Sequence, residues 1–234
     1  MNIPKHIAVI PDGNRRWARE KSLPDFFGHR EGAKRIVDIT KQAINGNVYA
    51  ITFWGLSLDN IEKRKSTEIN FIYKILESNF KKLAKNRDIH KNKVKINVIG
   101  RWRQGFPKSL IEKIEEAIDA TKGYGDHQLT FLLAYNGIDE MMNGIKEIAK
   151  AKRKNDKLEI NEELVKKNLW TSGLPPVDLV IRTGGEPHWS SGFMMWDIAN
   201  AHFYFTKILW PDFSEREFEK ALNYFASTDR RMGK

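Results

Sequence analysis

The sequence contains no cysteine, which excludes disulfides and thiolate-bound metal. No apolar run approaches the roughly 18–20 residues needed to cross a bilayer as a helix. Met1-Asn2-Ile3-Pro4-Lys5 leads straight into an apolar strand-like run, which leaves no room for a signal peptide, so a soluble, cytoplasmic protein is expected. There is no internal repeat, and the one low-complexity stretch, residues 150–157, reads as a surface connection. Basic residues do not interleave with aromatics along one face, and the common nucleic-acid motifs are missing, so no nucleic-acid partner is expected. The net charge of +10 is then left to solubility, to a phosphorylated substrate, or to peripheral contact with an anionic membrane surface. Much of the excess lies in residues 81–95 and 150–157, which read as solvated faces.

What is present is a chain of 234 residues, 41% hydrophobic and 11% aromatic, enough for the core of one domain spanning residues 1–234. Short apolar runs recur at 7–10, 48–53, 94–99, 129–134, 177–181 and 208–210, and read as strands. Amphipathic stretches at 32–44, 69–83, 107–120, 139–151 and 161–169 read as helices, as does the stretch after the capping box Ser214-Glu215-Arg216-Glu217. Alternation of this kind predicts an α/β fold with a mainly parallel central sheet flanked by helices. Ligands of such sheets sit beyond the carboxyl ends of the strands. Three polar loops, starting at Pro11, Trp54 and Arg182, follow strand ends and should converge on one rim.

The first loop is the most informative. An apolar run stops at Pro11-Asp12-Gly13-Asn14, and Arg15-Arg16-Trp17 follows with a helix-compatible sequence. A helix start presents unpaired N–H groups, Gly13 allows close backbone approach, and two guanidiniums suit phosphate. Asp12 has no use for a phosphate unless a cation such as Mg²⁺ lies between them. The alternative is a polar turn with solvated arginines. The third loop adds Arg182 and a stretch rich in glycine and hydroxyls, including Thr183, Gly184, Gly185, Ser190 and Ser191, able to form an N–H cradle. Two such loops on one sheet suit the joining of two diphosphate-bearing substrates.

At this point the sequence resembles the cis-prenyltransferases, the undecaprenyl diphosphate synthase-like family, from Ile3 to Asp229. Residues 6–18 are similar to the first family motif and Phe27-Gly28-His29-Arg30-Glu31-Gly32-Ala33 to the second. Ser57-Leu58-Asp59-Asn60 resembles its Ser-Thr-Glu-Asn segment, and residues 176–186 and Trp210-Pro211-Asp212-Phe213 resemble its C-terminal signatures. The resemblance implies Mg²⁺-dependent condensation of isopentenyl diphosphate with an allylic diphosphate such as farnesyl diphosphate, giving a Z-polyprenyl diphosphate. It also implies a homodimer and an apolar tunnel for the growing chain, with Leu56, Ile72, Leu76 and Phe80 as candidate walls. Asp12 becomes the catalytic, metal-linked carboxylate and Asn60 the partner in proton removal. Gly13, Asn14, Arg15, Arg16 and His29 would line the allylic diphosphate site with Trp17 beside it. Ser57, Leu58 and Asp59 fall on substrate-binding positions, and Arg182, His188 and Ser190 would hold isopentenyl diphosphate.

Four positions depart from that pattern. Asp25 stands where an arginine is usual, and Ile138 where the Asn-Tyr-Gly-Gly-Arg-like segment carries one. The loop 186–193 is one residue longer, which leaves Ser190 or Ser191 to face the substrate. His202 stands at the position of a metal-linked glutamate, which makes it a candidate ligand beside Asp12, although imidazole suits Mg²⁺ poorly. These departures motivate two alternatives: a short-chain or branching coupling enzyme, and a non-catalytic partner subunit of an active homologue.

Overall fold

The apolar run at the start of the chain forms β1, His6–Ile10, with every residue buried. It is the third strand from the nearer edge of a fully parallel six-stranded sheet in a computed structural model that describes residues 2–228. Met1 and residues 229–234, the two ends of the expected domain together with the Asp229 limit of the resemblance, lie outside the described residues. After β1 come α1 (Asn14–Glu20), α2 (Asp25–Asn45), β2 (Ala50–Ser57), α3 (Leu58–Lys63), α4 (Ser66–Leu83), α5 (Arg87–Lys91) and β3 (Val94–Ile99). The chain continues through α6 (Trp102–Gly105), α7 (Lys108–Thr121), β4 (His127–Tyr135), α8 (Gly137–Lys154), α9 (Glu162–Lys167), β5 (Leu179–Arg182), β6 (His202–Phe205) and α10 (Glu215–Ser227).

The sheet order is β3-β4-β2-β1-β5-β6, and each neighbouring pair is parallel. Parallel strands need crossovers, and helices supply them on both faces. On one face Ile7 and Val9 pack with Ile39 of α2, Ile72 and Phe80 of α4 and Ile114 of α7. On the other, Ala8 and Ile10 pack with Tyr135, Leu174, Phe193 and Met194. The strands therefore read as unbroken apolar runs, being covered on both sides. In α4 the buried Ile69, Ile72, Tyr73 and Phe80 recur at helical spacing. Ser214 caps α10 by accepting from the Glu217 N–H at 3.4 Å.

Two expectations are corrected. Residues 208–210 are not a strand: Trp210–Asp212 is a single 3₁₀ turn, because Pro211 has no N–H for a ladder and the Trp210 N–H donates to the Asp12 carbonyl at 3.0 Å. The sixth strand is His202–Phe205, an edge strand whose run of aromatics carries no alternation. The second polar loop does not start at Trp54 either, because β2 continues to Ser57 and α3 follows at once. Ser57 accepts from the Asn60 N–H at 3.1 Å and starts α3.

A buried histidine ties β1 to the rest of the sheet. The His6 Nδ1 donates to the Pro175 carbonyl at 2.8 Å, which obliges Nε2 to accept from the Thr52 hydroxyl at 2.8 Å in the neutral ring. Burial lowers its pKa from 6.5 to about 4, against a smaller opposing pull from the Pro175 carbonyl. Between those two values the unfolded chain holds a proton that the native ring refuses, so stability falls as pH drops through that window, by about 3 kcal/mol in all. On acidification from pH 7 to pH 4 the protein is expected to lose about that much more unfolding free energy than His6→Gln, measured by urea titration. Equal losses in the two would refute it.

Candidate active site

The three loops meet at the carboxyl ends of β1, β2 and β5. Ile10 pairs with Arg182 in the sheet register, so the ends of β1 and β5 stand side by side. Asp12 follows β1 and is locked through its backbone. Its N–H donates to the Thr183 hydroxyl at 2.9 Å, and that hydroxyl donates back to the Asp12 carbonyl at 2.8 Å. The carboxylate is thereby aimed between two guanidiniums: Arg16 Nη2 donates to Oδ1 at 3.1 Å and Arg182 Nη2 to Oδ2 at 3.2 Å. Gly13, at φ 109°, makes the turn into α1 with a conformation that other residues rarely adopt.

Arg182 is 6% exposed, and its Nη1 donates to the His188 carbonyl at 2.7 Å. Its Nε has no partner among the described residues, so a buried cation at the end of β5 keeps donor capacity for a ligand. A buried charge of this kind is costly unless it is paired, and Asp12 is the pairing carboxylate.

A second cluster faces it across the cleft. Glu68 of α4 accepts from His29 Nε2 at 3.1 Å and from Arg64 Nη1 at 3.1 Å, and Arg15 lies 3.9 Å from its other oxygen. Arg64 also donates to Asn60 Oδ1 at 2.5 Å. Burial first, and then the Arg64 charge, pushes the His29 imidazole below its ordinary value, while Glu68 pulls the other way. Arg64 and Glu68 went unnoticed in the sequence. No local pattern marks them, because the spacing of four from Asn60 and four again crosses the break between α3 and α4, where Arg64 is the extended C-cap of α3.

Between these clusters opens a cavity of about 940 Å³ between α2 and α4 over the sheet. Asp12, Asn14, Arg15, His29, Asn60 and Arg182 line one end, joined there by Ser57, Asp59 and Ser190. Leu56, Ile72, Leu76 and Phe80, with Phe131 beneath them, line its apolar part. From His29 to Ile44 its α2 wall spans about 22 Å at the helical rise of 1.5 Å per residue.

Other expected residues stand elsewhere. Trp17 donates its indole N–H to Asp212 at 2.7 Å, and the Lys21 ammonium lies 4.9 Å over its ring. His188 turns its side chain outward to Glu186, 3.6 Å away, and offers the site its carbonyl instead. Leu58 packs on the core beside the cavity. Ser190 and Ser191 both line the cavity, and the Ser191 hydroxyl donates to Asp59 at 3.4 Å. Asp25 holds Arg19 by two hydrogen bonds of 2.9 and 2.8 Å, so the carboxylate in the usual arginine position is neutralised locally. Arg19 holds its pKa below the ordinary carboxylate value.

His202 is not brought to Asp12 within this chain, which corrects the expectation of a shared metal site. It begins β6 opposite Leu179, whereas Phe205 at the other end pairs with Arg182. Three residues of strand, about 10 Å, separate it from the level of the site, and its ring meets Phe225 edge-on at 5.4 Å. Among the described residues no three His, Cys, Asp or Glu side chains cluster to hold a metal.

A parallel α/β sheet whose strand-end loops gather one carboxylate and several guanidiniums over a deep apolar cavity defines an enzyme for amphiphilic phosphorylated substrates. The Prenyltransf family model, undecaprenyl diphosphate synthase, matches residues 10–233, and the chain belongs to that family, the cis-prenyltransferases. A tritrans,polycis-undecaprenyl-diphosphate synthase (geranylgeranyl-diphosphate specific) of Pyrococcus furiosus is 36% identical over 99% of this chain and 88% of its own length. A ditrans,polycis-undecaprenyl-diphosphate synthase ((2E,6E)-farnesyl-diphosphate specific) of Coxiella burnetii is 36% identical over 99% of this chain and 96% of its own. The crystal structure of lavandulyl diphosphate synthase from Lavandula x intermedia, in complex with dimethylallyl diphosphate, superposes with a TM-score of 0.90 at 28% identity, covering 99% of both chains.

Proposed function

We propose that the chain, acting as one domain over residues 1–234, condenses isopentenyl diphosphate with an allylic prenyl diphosphate to give a Z-polyprenyl diphosphate. The observation that carries this reading is Asp12 held between Arg16 and Arg182 at the polar mouth of an apolar cavity. The allylic diphosphate is assigned to the α1 side, where the N-terminal N–H groups after Gly13 and the Arg15 and Arg16 guanidiniums offset charge building on the departing diphosphate. Arg182, with the loop carrying His188 and Ser190, is assigned to isopentenyl diphosphate. Asn60, held by Arg64, is assigned as the partner in proton removal as the new double bond forms. Leu56, Ile72, Leu76 and Phe80 would shelter the growing chain and keep water from the cationic centre.

Mg²⁺ fits this donor set in one way. Asp12 supplies a single hard carboxylate, and Mg²⁺ is commonly held by one or two carboxylates together with substrate phosphates and water. When bound there it would neutralise diphosphate charge.

Turnover tests the reading. The protein is incubated with labelled isopentenyl diphosphate and, in turn, dimethylallyl, farnesyl and geranylgeranyl diphosphate, with Mg²⁺ and with chelator. A chelator-sensitive series of Z-extended diphosphates is expected. A single short or branched product would favour the alternative coupling chemistry, and no product with any starter would favour the partner-subunit reading.

Arg182→Ala is expected to raise KM for isopentenyl diphosphate about 10- to 100-fold, the usual worth of a charge-assisted contact, and to leave KM for the starter near the wild-type value. A change in the starter's KM alone would refute the assignment. We further infer a homodimer: Ile138, Met142 and Ile145, at helical spacing on α8, are each about half exposed and form an apolar stripe suited to a second copy. Sedimentation equilibrium at micromolar concentration checks it. No helix of the described residues is long and apolar enough to cross a membrane. The positive charge supports peripheral contact with anionic lipid, and flotation with phosphatidylglycerol vesicles tests that contact.

A further inference from the structure

We propose that Tyr135, backed by Glu140, is a positioning residue that holds the loop carrying His188 and Ser190 against Arg182, and so sets the affinity for isopentenyl diphosphate. This rests on the assignment of Arg182 to that substrate.

Tyr135 ends β4 and is fully buried, and Glu140, one turn into α8, is 3% exposed. The phenol donates to Glu140 Oε2 at 2.5 Å and accepts from the Met194 N–H at 3.2 Å. The second Glu140 oxygen accepts from the Thr171 N–H at 2.8 Å, so the carboxyl is held from two sides and cannot turn away. Met194 is thereby bolted to the β4–α8 junction. Two further contacts pull the same loop to the same place. The Gly137 N–H donates to the Ser191 carbonyl at 3.1 Å, and Phe193 stacks on Trp54 with ring centroids 5.2 Å apart. A Cβ on Gly137 would come within 1.7 Å of the Gly192 carbonyl oxygen, so the loop lies directly on the helix start.

From this anchor the chain runs back to His188, whose carbonyl accepts from Arg182. Arg182 in turn faces Asp12. Tyr135 touches neither substrate position nor Asp12. It acts through the loop, by fixing where the His188 carbonyl holds the guanidinium and where Ser190 stands at the cavity mouth. A buried donor–acceptor pair is chosen over an apolar side chain because the Met194 N–H would otherwise be left buried and unpaired.

The test measures isopentenyl diphosphate binding by calorimetry and steady-state kinetics on the full chain. Tyr135→Phe keeps the ring and removes both hydrogen bonds. It is expected to raise the Kd and KM for isopentenyl diphosphate about tenfold, the worth of one buried hydrogen bond, while KM for the starter stays within twofold. Glu140→Gln keeps one acceptor oxygen, enough for the phenol or for the Thr171 N–H but not both, and leaves the bond from the Met194 N–H to the phenol in place, so its rise should be smaller. Ile114→Val, a core truncation on α7 away from the cavity, is expected to lower the melting temperature without moving either constant, which separates positioning from lost stability. A Tyr135→Phe Kd equal to wild type, equal rises in both KM values, or a Glu140→Gln effect as large as that of Tyr135→Phe would overturn the inference. Wild-type protein that binds isopentenyl diphosphate but makes no product would sink the proposed reaction and leave the binding comparison decisive for the loop.

Discussion

Asp12→Asn is expected to lower kcat by about 10³-fold, equivalent to about 4 kcal/mol of transition-state stabilisation, with the fold retained. The two effects separate because the residue is held and used by different atoms. Its backbone makes the contacts with Thr183 and Trp210 that shape the turn, and the substitution leaves those in place. Its carboxylate makes the contacts with Arg16 and Arg182, and a neutral amide of the same size cannot hold two cations or share a divalent ion with a phosphate. The Arg16 side chain is 44% exposed and can turn to water, whereas Arg182, 6% exposed, loses its pairing carboxylate and keeps the His188 carbonyl as acceptor, so the variant should also melt below wild type while keeping its fold. Steady-state rates at saturating concentrations of both substrates, with calorimetric melting of the same samples, check the result. A kcat within tenfold of wild type would remove Asp12 from the chemistry.

Gly28→Ala is expected to destabilise the protein by about 3 kcal/mol, a fall of about 6–12 °C in melting temperature. A Cβ on Gly28 would stand 1.8 Å from the Asn14 carbonyl oxygen and 2.6 Å from its carbon. Both are backbone atoms of the first residue of α1, so no side-chain rotation relieves the clash and α1 itself must move off α2. Because α1 carries Arg15 and Arg16, the same movement should raise KM for the allylic substrate. Gly105→Ala is the control, since a Cβ there meets nothing within 4 Å, and it is expected to melt within a degree or two of wild type. Melting curves for the two variants decide the point. A Gly28→Ala protein as stable as Gly105→Ala would mean that the α1–α2 contact is looser than its geometry implies.

Much of the fold was legible because buried parallel strands and amphipathic helices leave different periodicities in one dimension. The runs at 7–10, 94–99 and 129–134 fall within strands, and the helices marked by 69–83 and by the Ser214 capping box lie where those signals place them. Legibility failed at β6, where His202-Phe203-Tyr204-Phe205 carries no alternation, and at Ile208-Leu209-Trp210, where an apolar run serves as a buried turn. At the candidate site, Asp12 and Arg182 could be picked out because each stands at the carboxyl end of a strand that a parallel sheet must point the same way, and Asn60 because it falls in the segment that resembles the family's Ser-Thr-Glu-Asn motif. Arg64 and Glu68 were missed because Arg64 lies in the break between α3 and α4 and Glu68 in the first turn of α4, where isolated charges read as solvated until α2 brings His29 beside them. Tyr135 and Glu140 were missed because only the packed loop turns a core aromatic and a helical glutamate into a hydrogen-bonded anchor.

The sequence by itself determined the fold class, the family and the gathering of three strand-end loops on one rim, since these follow from local patterning and from short motifs whose meaning does not depend on distant neighbours. The tertiary structure decided which side chains of those loops face the cavity and which turn away. It turned Trp17 to Asp212, left only the carbonyl of His188 for Arg182, and placed His202 at the far end of its strand. The physical reason is that strand polarity, pairing register and the packing of one loop on another determine where a residue stands relative to a site, and no local pattern carries that information.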